Sequence, residues 1–393
     1  MPNAADPFAP PLPRSVSDRI AWTGLVPGAD SLALAQAVRA REGLLLVVAR
    51  DTREAARLEA ELGFFLDRED DPEVLHFPDW ETLAYDSFSP HQDIVSQRID
   101  TLRRLPGLHR GVLVAPITTL LHRVPPAEWL AGRSLVLDVG DAFDLAERRE
   151  TLQAAGYRRV ETVLEHGEYA VRGALLDVFP MGSDVPYRID LFDDEIESLR
   201  TFDPETQRTI ETVERIRLLP AKEFPLDGPA IRAFKDRWHQ HFDVDARRCP
   251  VYQDVAAGGT PPGIEYYLPL FFEELSALTD YLPADTIAVL CGDPGETARS
   301  FRHEVEERHE NLRWDPERPI LPPDALFLGV DELFGALAAF GQVRLRDDGA
   351  SGRTSGFAFD LRPLPVLAYD ARSAEPAGAV ARFRRGRIRD RAW

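Results

Sequence analysis

Hydrophobic and polar positions fall into two regimes along the chain. Residues 44–49 (LLLVVA) are an unbroken apolar run bounded by charge, the pattern of a strand buried on both faces. Residues 31–41 before it and 51–65 after it read as helices, and Asp51 stands where an N-cap belongs. Short apolar runs recur at 74–77 and 112–115, the second followed by a helix start at 118–121. Strands alternating with helices predict an α/β layer with a parallel sheet. Residues 78–97 read as a loop-rich excursion between two such units, and the Pro- and Ala-rich residues 1–14 as a disordered start.

Near residues 125–133 the pattern changes. Residues 134–139 alternate as a strand. Asp141 or Asp144 then starts a helix with Leu145 and Leu152 on one face, and Gly156 ends it in the manner of a C-terminal cap. Residues 159–164, 169–179, 187–192, 196–202 and 209–219 follow as strands, with Asp193, Asp194 and Glu195 forming one turn and 203–207 the next. That is an antiparallel meander packed by at least one helix, an α+β domain inserted between α/β pieces. From residue 221 the reading returns to helix (228–242, 296–308) and buried strand (286–290). Residues 349–356 are a Gly/Ser-rich linker, and the end carries Arg382, Arg384, Arg385, Arg387, Arg389 and Arg391, read as a truncation artefact or disordered end rather than a binding arm. The predicted division is a first α/β piece (1–133), the inserted domain (134–220), a second α/β piece (221–350), and a linker leading into a truncated further domain or disordered tail (351–393).

Composition narrows the function. The 393 residues carry 44% hydrophobic and 28% charged positions, as in globular proteins, and a formal net charge of −20. Affinity for a phosphate backbone comes from Lys and Arg, so this balance argues against a self-sufficient DNA binder. No window approaches the roughly twenty apolar residues of a membrane span, and the start lacks the basic and apolar regions of a signal peptide. No membrane partner is expected. Cys249 and Cys291, far apart, read as reduced thiols, which fits a cytoplasmic location.

The α/β pieces raise the question of a nucleotide. A P-loop needs a Gly-rich turn, a Lys for the outer phosphates and a Ser or Thr for magnesium. The only lysines, Lys222 and Lys235, follow Ala221 and Phe234, so no Gly-Lys pair exists. The nearest positional candidate is residues 24–31, where Gly28 is followed by Ala29 and Asp30, a carboxylate that would repel phosphate. After the strand at 287–290 come Cys291, Gly292 and Asp293 in place of an Asp-Glu pair, and Asp293 reads as a turn residue rather than a metal ligand. His76, His91 and His166 have no metal spacing, and Ser183 lacks a nucleophile elbow. No catalytic residue, metal site or cofactor is expected, and the chain is not read as an enzyme.

Several stretches carry a family resemblance: 77–98 (FPDWETLAYDSFSPHQDIVSQR), 166–182 (HGEYAVRGALLDVFPMG), 186–202 (PYRIDLFDDEIESLRTF), 262–267 (PGIEYY) and 280–285 (DYLPAD). They closely resemble the amino-terminal region of transcription-repair coupling factors, over about residues 20–343, and more distantly the excision-repair helicase UvrB. The resemblance implies a RecA-like layer in two pieces with a degenerate P-loop, interrupted by an inserted domain that binds the repair protein UvrA. It implies UvrA contacts at Arg172 in YAVRG and at Arg188 and Phe192 in PYRIDLF. The strand pattern agrees in part: Tyr187, Ile189 and Leu191 share one side, and Arg188, Asp190 and Phe192 the other. In the competing reading of this strand, Phe192 packs under the next turn and Arg188 pairs with Asp190. Trp80, Tyr85 and Phe88 read as loop anchors rather than stacking platforms for nucleic acid.

Full-length members of the family also hold a polymerase-binding domain, a DNA translocase motor and a carboxy-terminal domain that masks the UvrA surface. RNA polymerase and DNA are therefore expected as partners only through domains missing from this chain. The expected role is a UvrA-recruiting module of transcription-coupled nucleotide excision repair. The alternatives are a UvrB-like ATP-dependent helicase or damage-binding enzyme, and a purely structural restraint on the motor.

Overall fold

The computed structural model describes residues 3–346 and 355–361. In chain order its strands are β1 (Asn3–Ala5), β2 (Arg19–Thr23), β3 (Gly43–Ala49), β4 (Glu73–His76) and β5 (Arg110–Pro116), then β6 (Leu135–Asp138), β7 (Arg158–Arg159), β8 (Glu168–Arg172), β9 (Leu175–Val178), β10 (Tyr187–Phe192), β11 (Glu195–Phe202), β12 (Thr209–Val213) and β13 (Arg215–Leu218), and last β14 (Ile287–Cys291), β15 (Gly341–Arg346) and β16 (Ser355–Phe359). They form three sheets. An eight-stranded parallel sheet has the order β1-β16-β2-β15-β14-β3-β5-β4, a six-stranded sheet has the order β12-β11-β10-β9-β8-β7, and β13 pairs with β6 alone. The protein is thus a mixed α/β molecule in which a parallel sheet and separate antiparallel sheets coexist.

Every residue of β3 is buried because both faces of the parallel sheet are covered. Leu45, Val47, Val112, Val114, Ile287 and Val289 pack with the helices Ala29–Arg39 and Thr52–Phe65 on one face. Leu44, Leu46, Val48, Leu113 and Leu290 face the other way, into a core that runs on through Val95, Ile99 and Leu102 to Leu176, Ile189, Ile196 and Leu199 of the six-stranded sheet. One continuous apolar interior therefore joins the parallel sheet to the antiparallel one. A second, aromatic-rich core, with Phe234, Trp238, Tyr266, Tyr267 and Phe327, gathers around the helix Gly228–His241 and the 3-10 helix Ile264–Leu270.

Polar groups also cross the junction. Arg98 and Glu223 are both buried, and the Arg98 guanidinium lies over the rings of Phe77 and Trp80 at 4.2 and 5.2 Å. His166 contacts Asp93 through Nδ1 (2.7 Å) and the Ser183 carbonyl through Nε2 (2.8 Å). The Gly182 amide donates to the Ser96 hydroxyl. These contacts tie the segment after β9 to the helix Gln92–Arg104.

The structure departs from the sequence reading at six places. The excursion read as 78–97 ends at His91, because Val95, Ile99 and Leu102 stack on one face of the helix Gln92–Arg104. The start read as disordered contains β1, which pairs in parallel with residues 357–359. The strand read as 169–179 is a hairpin broken at Gly173, whose φ of 63° turns the chain between β8 and β9. The strand read as 209–219 divides into β12 and β13, which belong to different sheets, and that read as 159–164 shortens to β7. The last residues of the segment read as linker open β16, which enters the parallel sheet between β1 and β2, so residues 355–359 are part of the α/β layer and not of a separate tail. The Arg-rich segment from Arg382 lies outside the described residues.

Candidate docking surface

The outer face of the six-stranded sheet is set by register. Arg188 stands opposite Asp177 of β9 and Arg200 of β11, while Asp190 stands opposite Leu175 and Ser198. The core side of β10 holds Ile189, fully buried, and Leu191, nearly so. Arg188, Asp190 and Phe192 take the other side, as the period-two pattern predicted.

Phe192 is 69% exposed. It closes β10 just before the turn Asp193–Asp194, where Asp193 adopts a left-handed φ of 51° and the chain returns as β11. No core contact holds the ring, so the packed alternative for this residue does not occur.

Arg188 is arranged differently from either sequence reading. Its Nε and Nη2 donate to Asp177 Oδ1 and Oδ2 at 2.7 and 2.9 Å, a two-pronged ion pair on a carboxylate that is itself buried. The guanidinium also lies 4.8 Å from the Phe202 ring centroid. Asp190, the partner the competing reading gave to Arg188, instead pairs with Arg200 and accepts from the Ser198 hydroxyl. The Asp177 hydrogen bonds raise the guanidinium's already high pKa, so Arg188 stays charged. Arg172, at the end of β8, is exposed and donates from Nη2 to the Glu161 carbonyl at 2.8 Å. Val163, Ala170, Phe179 and Phe202 form a small separate apolar cluster under Arg188.

The strand pattern placed Arg188 and Phe192 on one side of β10, Arg172 was implied only by the family resemblance, and the register of β8, β9 and β10 brings all three to one sheet face. Sequence reasoning missed Asp177, 11 residues from Arg188, because their meeting depends on antiparallel register and not on any local spacing. It also missed Glu197. Asp190 pairs with Ser198 but Leu191 with Ile196, so Glu197 bulges from β11 and is exposed.

At residues 24–31, Gly28 takes a φ of 85° ahead of the helix Ala29–Arg39. Asp30 accepts from the amides of Gly28 and Ser31, both at 2.9 Å, and pairs with Arg57 at 2.8 Å. Arg57 also reaches Glu61 (2.7 Å), which accepts from the Ser31 hydroxyl. A Cβ on Gly24 would lie 2.4 Å from the Phe359 carbonyl oxygen, so the turn is closed against β16. Lys222 is half-buried beside Gln92, where desolvation lowers its pKa, and Asp293 caps the helix Pro294–Leu312 by accepting from the Gly295 amide.

Trp80 and Tyr85 are buried in the aromatic core, as loop anchors should be, but Phe88 is 69% exposed and anchors nothing. Leu83, also exposed, sits in the same excursion.

A family model described as the UvrB interaction domain matches residues 135–224, which include the whole six-stranded sheet. The transcription-repair-coupling factor of Escherichia coli (strain K12) is 46% identical over 89% of this chain and 30% of its own length. That of Haemophilus influenzae is 40% identical over 96% of this chain and 32% of its own, and that of Bacillus subtilis 28% identical over 61% and 21%. The chain thus spans about a third of the length of its first-listed relatives. The chain belongs to the transcription-repair coupling factor family, in which it corresponds to the amino-terminal, UvrB-like region.

Proposed function

We propose that this chain is the UvrA-recruiting part of a transcription-repair coupling factor, acting in transcription-coupled nucleotide excision repair, with no ATP site and no chemistry of its own. The observation that carries the reading is Phe192, an aromatic ring standing in solvent within the stretch that matches the UvrB interaction domain. Aromatic residues beside arginine are the usual energetic centres of protein interfaces. Arg172 and Arg188 share its sheet face, and the three together are the proposed UvrA contact.

The parallel sheet is proposed to be a RecA-like layer whose phosphate loop has degenerated. The Asp30–Arg57 pair supports this, since it puts a carboxylate where a phosphate-binding lysine would reach. RNA polymerase and DNA would be engaged by other parts of the whole protein. Binding of purified UvrA to this chain tests the proposal, with the Arg188→Ala/Phe192→Ala double variant as control. Unchanged binding by that variant would remove the site assignment, and no binding by the unaltered chain would favour a structural role instead.

A further inference from the structure

The named arginines suggest that the docking face is basic and that its partner is acidic. The ion pairs reverse that sign. Arg188 commits two of its nitrogens to Asp177, and Arg200 is paired with Asp190, so these four charges cancel within the sheet. Beyond them lie Asp193 and Asp194 in the turn, Glu195 at the start of β11 and Glu197 pushed outward by the bulge. All four carboxylates are exposed, and none joins an ion pair among the described residues. Against them the same face offers Arg172, exposed at the end of β8. The exposed Phe192 ring therefore stands at an acidic rim.

We propose that this hairpin is an aromatic anchor steered by negative charge, and that it fits a protein surface bearing an apolar recess ringed by Lys and Arg. This deepens the docking reading above and rests on it. Phe192 would fill the recess. Asp193, Asp194, Glu195 and Glu197 draw the basic rim in over a Debye length of about 8–10 Å. Besides its place in the proposed contact, Arg188 acts as a positioning residue, because its pairing with Asp177 bridges β9 and β10 next to the ring. Rim charges of this kind set association rate and salt dependence more than dissociation.

The test is stopped-flow association of the full chain with UvrA across a salt series, comparing the unaltered chain with the Asp193→Asn/Asp194→Asn/Glu195→Gln/Glu197→Gln variant. Each change preserves shape, and Asn tolerates the left-handed backbone at 193. The expected result is an association rate about tenfold lower at about 50 mM salt, a flatter salt dependence, and dissociation within about twofold of the unaltered chain. An unchanged or faster association rate would overturn the proposal, because the partner surface would then be neutral or acidic. Phe192→Ala, measured alongside, separates the two readings. If it loses binding while the neutralised hairpin associates normally, only the charge proposal fails. If it binds normally, or if UvrA does not bind the chain at all, the docking reading fails and this proposal with it.

Discussion

The Arg98 guanidinium meets the Glu223 carboxylate at 2.6 Å with both side chains sealed from solvent, although the two stand 125 positions apart with the entire six-stranded sheet between them. Arg98 also donates to the Pro78 carbonyl, and Trp80 Nε1 reaches Glu223 at 3.4 Å. The pair closes the path by which the chain leaves the parallel sheet and returns. Removing one partner leaves a buried charge uncompensated, which costs about 3–5 kcal/mol, whereas replacing both by apolar groups of similar volume is far less damaging. Urea denaturation should therefore show Arg98→Met and Glu223→Leu each losing about 3 kcal/mol or more, with the double variant nearer to the unaltered protein than either single one. Strictly additive losses would show that the two groups do not act as a pair.

Phe192 and Arg188 should separate binding from stability although they lie on one strand face. Phe192 touches little of its own protein, so Phe192→Ala should change unfolding free energy by less than about 0.5 kcal/mol. If it is the anchor, the same change should weaken UvrA binding by about 2 kcal/mol, roughly thirtyfold. Arg188→Ala strands the buried Asp177 carboxylate and should cost about 1–3 kcal/mol of stability as well as binding. Calorimetric titration with UvrA, paired with denaturation of each variant, reads both quantities. A stability loss in Phe192→Ala comparable to that in Arg188→Ala would contradict the exposed placement of the ring.

The ion network at residues 24–31 makes a prediction about nucleotides. A ligand at one hundred times its dissociation constant stabilises the folded state by about 2.7 kcal/mol. With Asp30 held by Arg57 and by the amides of Gly28 and Ser31, the groups that would cradle a phosphate are already engaged. Thermal unfolding in about 1 mM ATP with magnesium should match unfolding in magnesium alone. A clear upward shift with ATP in the unaltered chain would revive the helicase-like reading of the parallel sheet.

The sequence disclosed what local periodicity encodes. The run 44–49 becomes the fully buried β3, Asp51 caps the helix Thr52–Phe65 by accepting from the Glu54 amide, and alternation over residues 187–192 sorts Ile189 inward and Phe192 outward. What stayed hidden depends on partners distant along the chain. The helix Gln92–Arg104 buries Ser96, Arg98 and Thr101 beside its apolar stripe, so its pattern reads as polar until Glu223 is brought to Arg98. β16 is short and glycine-containing, and becomes a strand only because β1 and β2 flank it. The competing reading pairs Arg188 with Asp190 by proximity along one strand, yet side chains directly opposite across a ladder lie closer, and register delivers Asp177 there. Glu197 could not have been singled out, since a bulge is a property of two strands together.

His122 carries the last prediction. Its ring lies in the aromatic core against Trp80, Phe301 and Phe327, with centroids 4.8, 5.7 and 5.0 Å away. Burial pushes its pKa down from 6.5 to about 4, and the nearby Asp79 carboxylate only partly opposes the shift. Above pH 6.5 the imidazole is neutral in both folded and unfolded chains, so the full stability is present. As pH falls from about 6.5 towards 4, the unfolded chain takes up a proton that the folded one refuses, and stability declines by up to about 1.4 kcal/mol per pH unit; below the folded pKa the decline levels off. His122→Phe removes that titration while keeping a ring in the core. Denaturant midpoints at pH 7.5 and 5.0 should therefore differ less in the variant than in the unaltered protein, and an identical pH dependence in the two would show that His122 is not the group being titrated.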